Sequence, residues 1–272
     1  MIEHLATIEL DAHRDSPIHR LDARVKILIA FTAIIAMVAV PYSTMVIPLF
    51  VGYLLIFGVW WGFSRLPLST LLWRYLLTLP FGLFIIVFQI FFENPYYDTF
   101  TPLLSLPMGI TIYAQSVEFA AILAMKFTAC ILWVILLSST TPMEDLLKGG
   151  RRLGLPSVMA LSLGMMIRYL FVFADIYANI NRALALRHFA AFDRRLPYRY
   201  RLTTLAYAIG SLFLRSYEQG ERTFICMQCR GYGKRTYDAL PKEPVPSRQW
   251  GIAAAMLAIF VALPVLLYTG PF

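Results

Sequence analysis

Long apolar runs separated by short polar segments dominate the chain. Residues 27–64 contain no charged side chain, and a second uncharged run covers residues 75–92. A third apolar region lies near residues 110–138, and a fourth begins at residue 249. A helix needs about 20 predominantly apolar residues to cross a bilayer. The pattern therefore predicts five membrane-spanning helices, at residues 25–41, 44–63, 74–92, 110–138 and 249–269.

Composition supports a membrane protein. Of the 272 residues, 59% are hydrophobic and 15% are charged, and the mean hydropathy is +0.65. Soluble domains carry roughly 25% charged residues. A water-soluble enzyme is therefore excluded as a class.

The positive charges indicate how the helices are oriented. The chain has 24 Lys and Arg against 16 Asp and Glu, a net charge of +8. Seventeen of these cations lie in residues 142–248, others precede the first span, and Arg65 and Arg74 are expected in the turn between the second and third spans. Cytoplasmic loops are enriched in Lys and Arg. We expect the N-terminus and residues 142–248 inside the cell and the C-terminus outside, which explains the charge without a nucleic-acid partner.

The predicted fold is an all-α membrane protein with about five transmembrane helices and a cytoplasmic domain of long amphipathic helices. Residues 1–141 would form a cytoplasmic head and four spans, residues 142–248 the cytoplasmic helices, and residues 249–272 the last span. Thr141 is expected to be the N-cap of the first cytoplasmic helix, with Pro142 at its first position and Glu144 completing a capping box. Gly154 and Pro156 are expected to form the hinge to the next helix.

Two long helices are predicted to follow this hinge, and each is apolar first and basic at its C-terminal end. Arg187 ends the first helix, and Arg230, followed by Gly231, ends the second. An Arg at a helix C-terminus is favoured by the helix dipole, and this accounts for most such cations. An apolar helix with Arg at its tip also suits docking, because its apolar face fits a groove and its guanidinium pairs with a carboxylate.

Other candidate groups carry weaker signals. Glu118 and Lys126 lie two turns apart in the fourth span and are either a functional intramembrane pair or, as we prefer, a peripheral Glu and a Lys bonded to a polar group of a neighbouring helix. Cys226 and Cys229 lack further ligands for a zinc site, and we interpret them as a packed pair. The sequence has no Walker-type phosphate loop, so any ATP is hydrolysed by a partner.

Several segments, in the same order, resemble the T components of energy-coupling factor (ECF) transporters. Residues 16–26, SPIHRLDARVK, resemble the Leu-His-x-Leu-Asp-Pro-Arg-x-Lys element of that family. Residues 139–142 (STTP) and 153–156 (LGLP) match the start of its first coupling helix. Residues 168–172 (RYLFV) are similar to the cobalt branch, CbiQ, and residues 229–231 (CRG) correspond to its second Ala-Arg-Gly motif.

Two positions depart from the family pattern. Ala23 replaces the usual Pro, which is a minor change. The first Ala-Arg-Gly motif reads Leu186-Arg187-His188 and so keeps only the Arg. Arg187 lies 43 residues before Arg230, as two coupling-helix tips should, and the first motif is therefore assigned there. His188 raises the question of whether this tip has the same backbone geometry as the second.

The resemblance implies a transport subunit of the cell membrane and not an enzyme. Two ABC-type ATPase subunits would each receive one Arg-tipped helix, and a CbiM-like membrane subunit, with a small accessory membrane subunit, would capture the substrate. Cobalt ion is the expected substrate, with nickel and vitamin systems as alternatives. ATP would be used by the partners, and no cofactor or metal is expected in this chain. The rival classes are a self-sufficient ion or solute carrier and a membrane-embedded enzyme.

Overall fold

The computed structural model describes residues 16–42, 46–90, 102–105, 111–190, 196–233 and 246–269, and these residues are mainly helical. A small antiparallel hairpin pairs β1 (Pro102–Ser105) with β2 (Thr111–Tyr113). The helices are α1 (Ala23–Ala39), α2 (Val46–Ser64), α3 (Leu68–Ile90), α4 (Ala114–Thr140), α5 (Met143–Arg152), α6 (Ser157–Leu186), α7 (Tyr198–Cys229) and α8 (Ser247–Thr269). The prediction of an all-α membrane protein is confirmed, and the protein is a multi-pass membrane protein.

Five of the described helices are long and apolar enough to cross a membrane, and four of them match predicted spans. These four are α2, α3, α4 and α8. The fifth is α6, which was predicted to be cytoplasmic. The first predicted span corresponds to α1, whose 17 residues are fewer than the roughly 20 that a bilayer requires. The number of candidate spans equals the predicted five, although α6 is counted among them by length and composition and the shorter α1 is not.

Two boundaries differ from the prediction for local reasons. Helix α3 begins at Leu68, directly after Pro67, so Arg74 lies inside the helix and not in the preceding turn. The Arg74 guanidinium donates a hydrogen bond to Ser139 Oγ at 2.7 Å, which gives the charge a polar partner within the bundle. Helix α4 begins at Ala114 and not at residue 110, because residues 111–113 pair with β1.

Helix α1 packs on α4, α5 and α8. Its fully buried positions recur every fourth residue, at Val25, Ile29, Ala33 and Met37. Residues four apart share one face of an α-helix. Small side chains such as Ala33 allow helix backbones to approach closely. In a membrane, helices associate largely through such packing, because lipid is as apolar as the side chains and the hydrophobic effect does not drive them together.

Trp133 of α4 is the centre of an aromatic cluster. Its ring meets Phe260 of α8 edge-on, with the centroids 5.1 Å apart, and Phe57 of α2 at 6.1 Å. The Tyr53 ring of α2 also contacts Phe260, with the centroids 5.1 Å apart. Edge-to-face aromatic pairs stabilise beyond the area they bury, by about 0.5–1.5 kcal/mol each. The cluster therefore fixes α2, α4 and α8 to one another.

Helix α3 approaches α4 through a glycine. A Cβ atom at Gly82 would lie 1.9 Å from the ring of Phe127. Gly82 is also the only buried position among the described residues of α3. The helix thus joins the bundle at this close contact and through polar bonds such as the one from Arg74.

The described helices form two compact units. One contains α1–α5 and α8, and the other contains α6 and α7, with a boundary between Gly154 and Leu155. The boundary between these packing units lies after α5, because α5 packs on α1. Gly149 makes this approach possible, since a Cβ atom there would lie 3.1 Å from the Ala23 side chain and 3.2 Å from the Arg24 nitrogen. Helix α5 therefore belongs with the membrane-spanning helices. The division at residues 141/142 into membrane and cytoplasmic parts stays a prediction.

Candidate coupling site

Helix α6 ends in a turn that satisfies its last carbonyl groups. Arg187 is the C-cap. The His188 N–H donates to the Ala185 carbonyl at 2.9 Å, and the Phe189 N–H donates to the Leu184 carbonyl at 3.0 Å. This pair of bonds defines a Schellman motif, in which the residue after the C-cap takes the left-handed conformation. His188 takes it, with φ of +57°.

Helix α7 ends in the same way. Arg230 is the C-cap. The Gly231 N–H donates to the Gln228 carbonyl at 2.9 Å, and the Tyr232 N–H donates to the Met227 carbonyl at 3.0 Å. Gly231 is left-handed, with φ of +85°. We call residues 184–189 and 227–232 the α6 tip and the α7 tip.

The two tips therefore share one backbone design, namely Arg at the C-cap, a left-handed residue and then an aromatic residue. The loss of Gly in the α6 tip does not change the geometry, because His188 adopts the conformation that Gly231 adopts in the α7 tip. The left-handed conformation costs a residue with a Cβ atom about 1–2 kcal/mol, and His is among the side chains enriched there. The α6 tip thus keeps the turn at a cost in strain.

Both arginines point into solvent. Arg187 and Arg230 are exposed, and among the described residues neither forms an ion pair. The carbonyl groups of residues 184 and 185 in α6 and of residues 226–228 in α7 accept backbone N–H groups, so neither guanidinium is needed to cap them. Both side chains are consequently available to a partner.

The junction before α5 differs from the predicted capping box. Pro142 is the N-cap and not the first helical residue, and its carbonyl accepts the Leu146 N–H at 3.0 Å. Thr141 lies one position too early to cap the helix. Its side chain is buried, and its Oγ1 has no partner among the described residues. The capping-box prediction is wrong because Thr141 belongs to the packed end of α4, where it is the C-cap.

The residues of the predicted hinge lie between α5 and α6, and their role as a hinge stays a prediction. Gly154 follows the C-cap Leu153 with φ of +121°, a conformation that side chains with a Cβ atom rarely adopt. Pro156 is the N-cap of α6, and its carbonyl accepts the Ala160 N–H at 3.1 Å. Gly154 and Pro156 therefore lie just after the end of α5 and just before the start of α6.

Lys126 is buried in α4 and bonds to another helix. Its Nζ donates to the carbonyl of Val40, the C-cap of α1, and lies 4.2 Å from the centre of the Tyr42 ring. Glu118 is exposed. Lys126 thus pairs with a polar group of a neighbouring helix, as we preferred, and the alternative of an intramembrane pair with Glu118 is not supported.

Lys26 makes the reciprocal contact. It is buried in α1, and its Nζ donates to the carbonyl of Thr140, the last residue of α4, at 2.8 Å and to that of His19 at 3.2 Å. Lys26 lies 14 residues before Val40, and Lys126 lies 14 residues before Thr140. Each antiparallel helix therefore supplies the lysine that caps the C-terminus of the other.

Two segments that carried the family resemblance meet at this cap. The Ser16 hydroxyl and His19 Nδ1 lie 2.6 Å apart, and Asp22 caps α1 by accepting the Arg24 N–H at 3.0 Å. The Lys26 bonds then join residues 16–26 to the end of α4. Burial raises the pKa of the Asp22 carboxyl, although nearby Arg152 and Lys26 act in the opposite direction.

The cysteines are placed differently from the expectation of a packed pair. Cys226 and Cys229 are both exposed on the last turn of α7, so packing within this chain does not account for them. In the part of the chain that the structure describes, no group of three or more His, Cys, Asp or Glu side chains is placed to hold a metal ion.

Comparison with known proteins decides the family. The sequence model of the CbiQ family, described as cobalt transport protein, matches residues 14–238. The chain belongs to the CbiQ family of cobalt transport proteins. The matched region contains both tips and both capping lysines.

Three curated relatives are similar to this CbiQ chain. A putative fused cobalt transport protein CbiMQ of Methanocorpusculum labreanum is 27% identical over 257 residues, which are 91% of this chain and 39% of the relative. Two uncharacterized proteins of Methanocaldococcus jannaschii, MJ1571 and MJ1089, are 24% and 25% identical over 62% and 57% of this chain. The chain spans 39%, 56% and 55% of the lengths of these three relatives.

We predict that Lys126→Met lowers the free energy of unfolding of the unit formed by α1–α5 and α8 by about 1–3 kcal/mol, because the buried Val40 carbonyl loses its hydrogen-bond donor. Lys148→Met is the matched control, since Lys148 is exposed and forms a surface ion pair with Asp145 at 2.9 Å. Such surface pairs contribute about 0–1 kcal/mol. Unfolding of the purified protein in detergent measures both changes, and equal losses for the two variants would contradict the capping role.

We also predict opposite effects of exchanging the left-handed residues of the tips. His188→Gly relieves strain and slows amide exchange at the Phe189 N–H, whereas Gly231→His adds strain and speeds exchange at the Tyr232 N–H. Each change is expected to be about 1–2 kcal/mol, or roughly five- to thirtyfold in the exchange rate. Hydrogen–deuterium exchange measures both, and changes of the same sign would show that the tips are not equivalent.

Proposed function

We propose that this CbiQ-family protein is the coupling subunit of an energy-coupling factor importer. In this proposal residues 142–248 face the cytoplasm, and two ABC-type ATPase subunits each receive one of the two tips. ATP binds to the partners, and this chain holds no cofactor and carries out no chemical step. The observation that carries the proposal is that α6 and α7 end in the same exposed turn with Arg at the C-cap.

The chemistry of the tips supports an acidic docking site on the partner. A guanidinium forms two parallel hydrogen bonds to a carboxylate, and such pairs resist sliding because their geometry is fixed. The backbone turn already satisfies the carbonyl groups of α6 and α7, so Arg187 and Arg230 lose no intrachain role when they bind a partner. Two equivalent tips on one chain suit a pair of equivalent ATPase subunits.

The apolar character of α6 and α7 supports a second contact. Neither helix contains a buried residue in the structure. Large apolar side chains such as Met159, Leu186 and Phe213 are exposed on them. Exposed apolar surface of this extent marks an interaction site. We propose that lipid and a substrate-binding membrane subunit cover these faces, and that a small accessory membrane subunit completes the complex.

Cobalt ion is the proposed substrate. The family is one of cobalt transport proteins, and a relative is named as a fused CbiMQ cobalt transport protein, which supports a CbiM-like partner for this chain. Nickel and vitamin substrates are the alternatives within the same design. The position of Lys126, which caps α1, removes the main argument for a self-sufficient carrier with an ion pair in its fourth span.

We predict that Arg230→Ala separates ATP hydrolysis from cobalt uptake in the reconstituted complex. Removing one partner of a buried charge pair at an interface costs about 2–5 kcal/mol, so the tip should bind its ATPase at least about 30-fold more weakly. Arg187→Ala is expected to act in the same direction. Cobalt ions accumulated per ATP hydrolysed in proteoliposomes is the measured quantity.

Arg215→Ala is the matched control, because Arg215 is an exposed arginine in the middle of α7 and lies outside the tip. Its ratio of cobalt to ATP should equal that of the parent protein. Unchanged cobalt uptake by Arg230→Ala would overturn the assignment of the α7 tip. Uptake by the chain alone, without ATPase subunits, would favour the carrier.

A further inference from the structure

A hydrogen bond joins α6 and α7 at residues that lie outside both tips. The hydroxyl groups of Tyr169 and Thr223 lie 2.6 Å apart. Both residues are half-buried. Tyr169 lies in the segment that is similar to the cobalt branch, but neither residue has an assigned role. The bond is thus a specific polar contact between the two helices that carry the tips.

The direction of this bond follows from the number of protons. Thr223 Oγ1 lies 2.7 Å from the Gln219 carbonyl, to which it donates its only proton. Thr223 must therefore accept from Tyr169, and the Tyr169 hydroxyl is the donor. Both hydroxyl protons are thus used in hydrogen bonds, which favours one arrangement of the two helices over others.

The apolar surroundings of this hydrogen bond favour one register of α6 against α7. The bond lies beside an open groove of about 570 Å³ that is lined almost entirely by apolar side chains and by Gly220. The apolar lining residues are Met165, Met166, Leu170, Phe173, Phe224 and Met227. The Phe173 ring stacks on Tyr169, with the centroids 5.9 Å apart, and thereby restricts its orientation. Apolar contacts alone would let the helices slide, whereas a polar pair in an apolar setting fixes one register.

We propose that Tyr169 and Thr223 are positioning residues that fix where α6 and α7 cross and so set the separation of the two tips. The inference rests on the proposed coupling function. Arg187 lies 18 residues beyond Tyr169, roughly 27 Å along the helix, and Arg230 lies seven residues beyond Thr223, roughly 10 Å. A small rotation at the crossing therefore moves the α6 tip more than twice as far as the α7 tip.

The first test measures the helices in the full chain without any partner. Spin labels on Cys226 and on Leu186→Cys, with Cys130 and Cys229 replaced by Ser, report the separation of the ends of α7 and α6 by double electron–electron resonance. Tyr169→Phe and Thr223→Val should each lower, by about fivefold, the population with the parent's main distance relative to the population with other distances. Thr223→Ser, which keeps the hydroxyl, should restore the parent distribution.

Matched controls are present on the same helices. Tyr177 is an exposed tyrosine of α6, and Thr203 is an exposed threonine of α7 whose hydroxyl bonds only within its helix. Tyr177→Phe and Thr203→Val should leave the distances unchanged. Distances in Tyr169→Phe that match the parent, or an equal shift in Tyr177→Phe, would overturn the proposal.

The second test measures coupling in the complex with ATPase and substrate-binding subunits. The Tyr169→Phe variant should still bind the ATPase subunits, because both arginines remain. The cobalt accumulated per ATP hydrolysed should fall about fivefold in this variant, whereas Thr223→Ser, which keeps the hydroxyl, should retain the parent value. Loss of ATPase binding in every variant, including the parent, would refute the proposed function and leave the distance result standing. Normal coupling in Tyr169→Phe would refute the positioning role alone.

Discussion

The carbonyl groups at the ends of helices are the constraint on which the rest of the structure depends. The last four carbonyls of an α-helix have no partner within it, and in a bilayer water is not available to satisfy them. Helices α1 and α4 solve this problem for each other, because Lys126 caps α1 and Lys26 caps α4. The equal spacing of 14 residues fixes their antiparallel register. Helices α2, α3, α5 and α8 then pack around this pair.

The long helices of the second unit satisfy their carbonyls differently. Each of these helices ends in a turn with a left-handed residue, His188 or Gly231. Backbone N–H groups of the turn bond to carbonyl groups of the helix end, as the lysine ammonium groups do in α1 and α4. Lysines are therefore buried where they hold the bundle together, and Arg187 and Arg230 stay exposed where a partner can bind them. The cations of the chain thus include buried lysines that cap helices and two exposed arginines for which we propose a binding role.

Much of the fold could be predicted from the sequence, since uncharged runs long enough to span a bilayer leave little alternative to helices. The helix end near Gly154 and the helix start near Pro156 could be predicted because Gly and Pro act on the local backbone. Contacts distant in sequence were not visible. Lys126 gives no sign that its partner is Val40, 86 residues away, and Arg74 gives no sign that it reaches Ser139. The Tyr169–Thr223 bond was missed for the same reason.

The α6 tip shows a different limit of sequence reasoning. His188 replaces the Gly of the family pattern, which suggested a changed geometry, yet the backbone is that of the α7 tip. Main-chain hydrogen bonds hold this turn, and they outweigh the modest strain of one side chain. The signal that could have revealed the equivalence is the aromatic residue after it, Phe189 in one tip and Tyr232 in the other.

The central claim is that the two tips are equivalent docking elements for two ATPase subunits. Native mass spectrometry of the full chain purified with its ABC-type ATPase subunits tests this claim most directly. The account predicts two ATPase subunits per chain, one when either Arg187 or Arg230 is changed to Glu, and none when both are changed. Two ATPase subunits still bound to the double variant would contradict it.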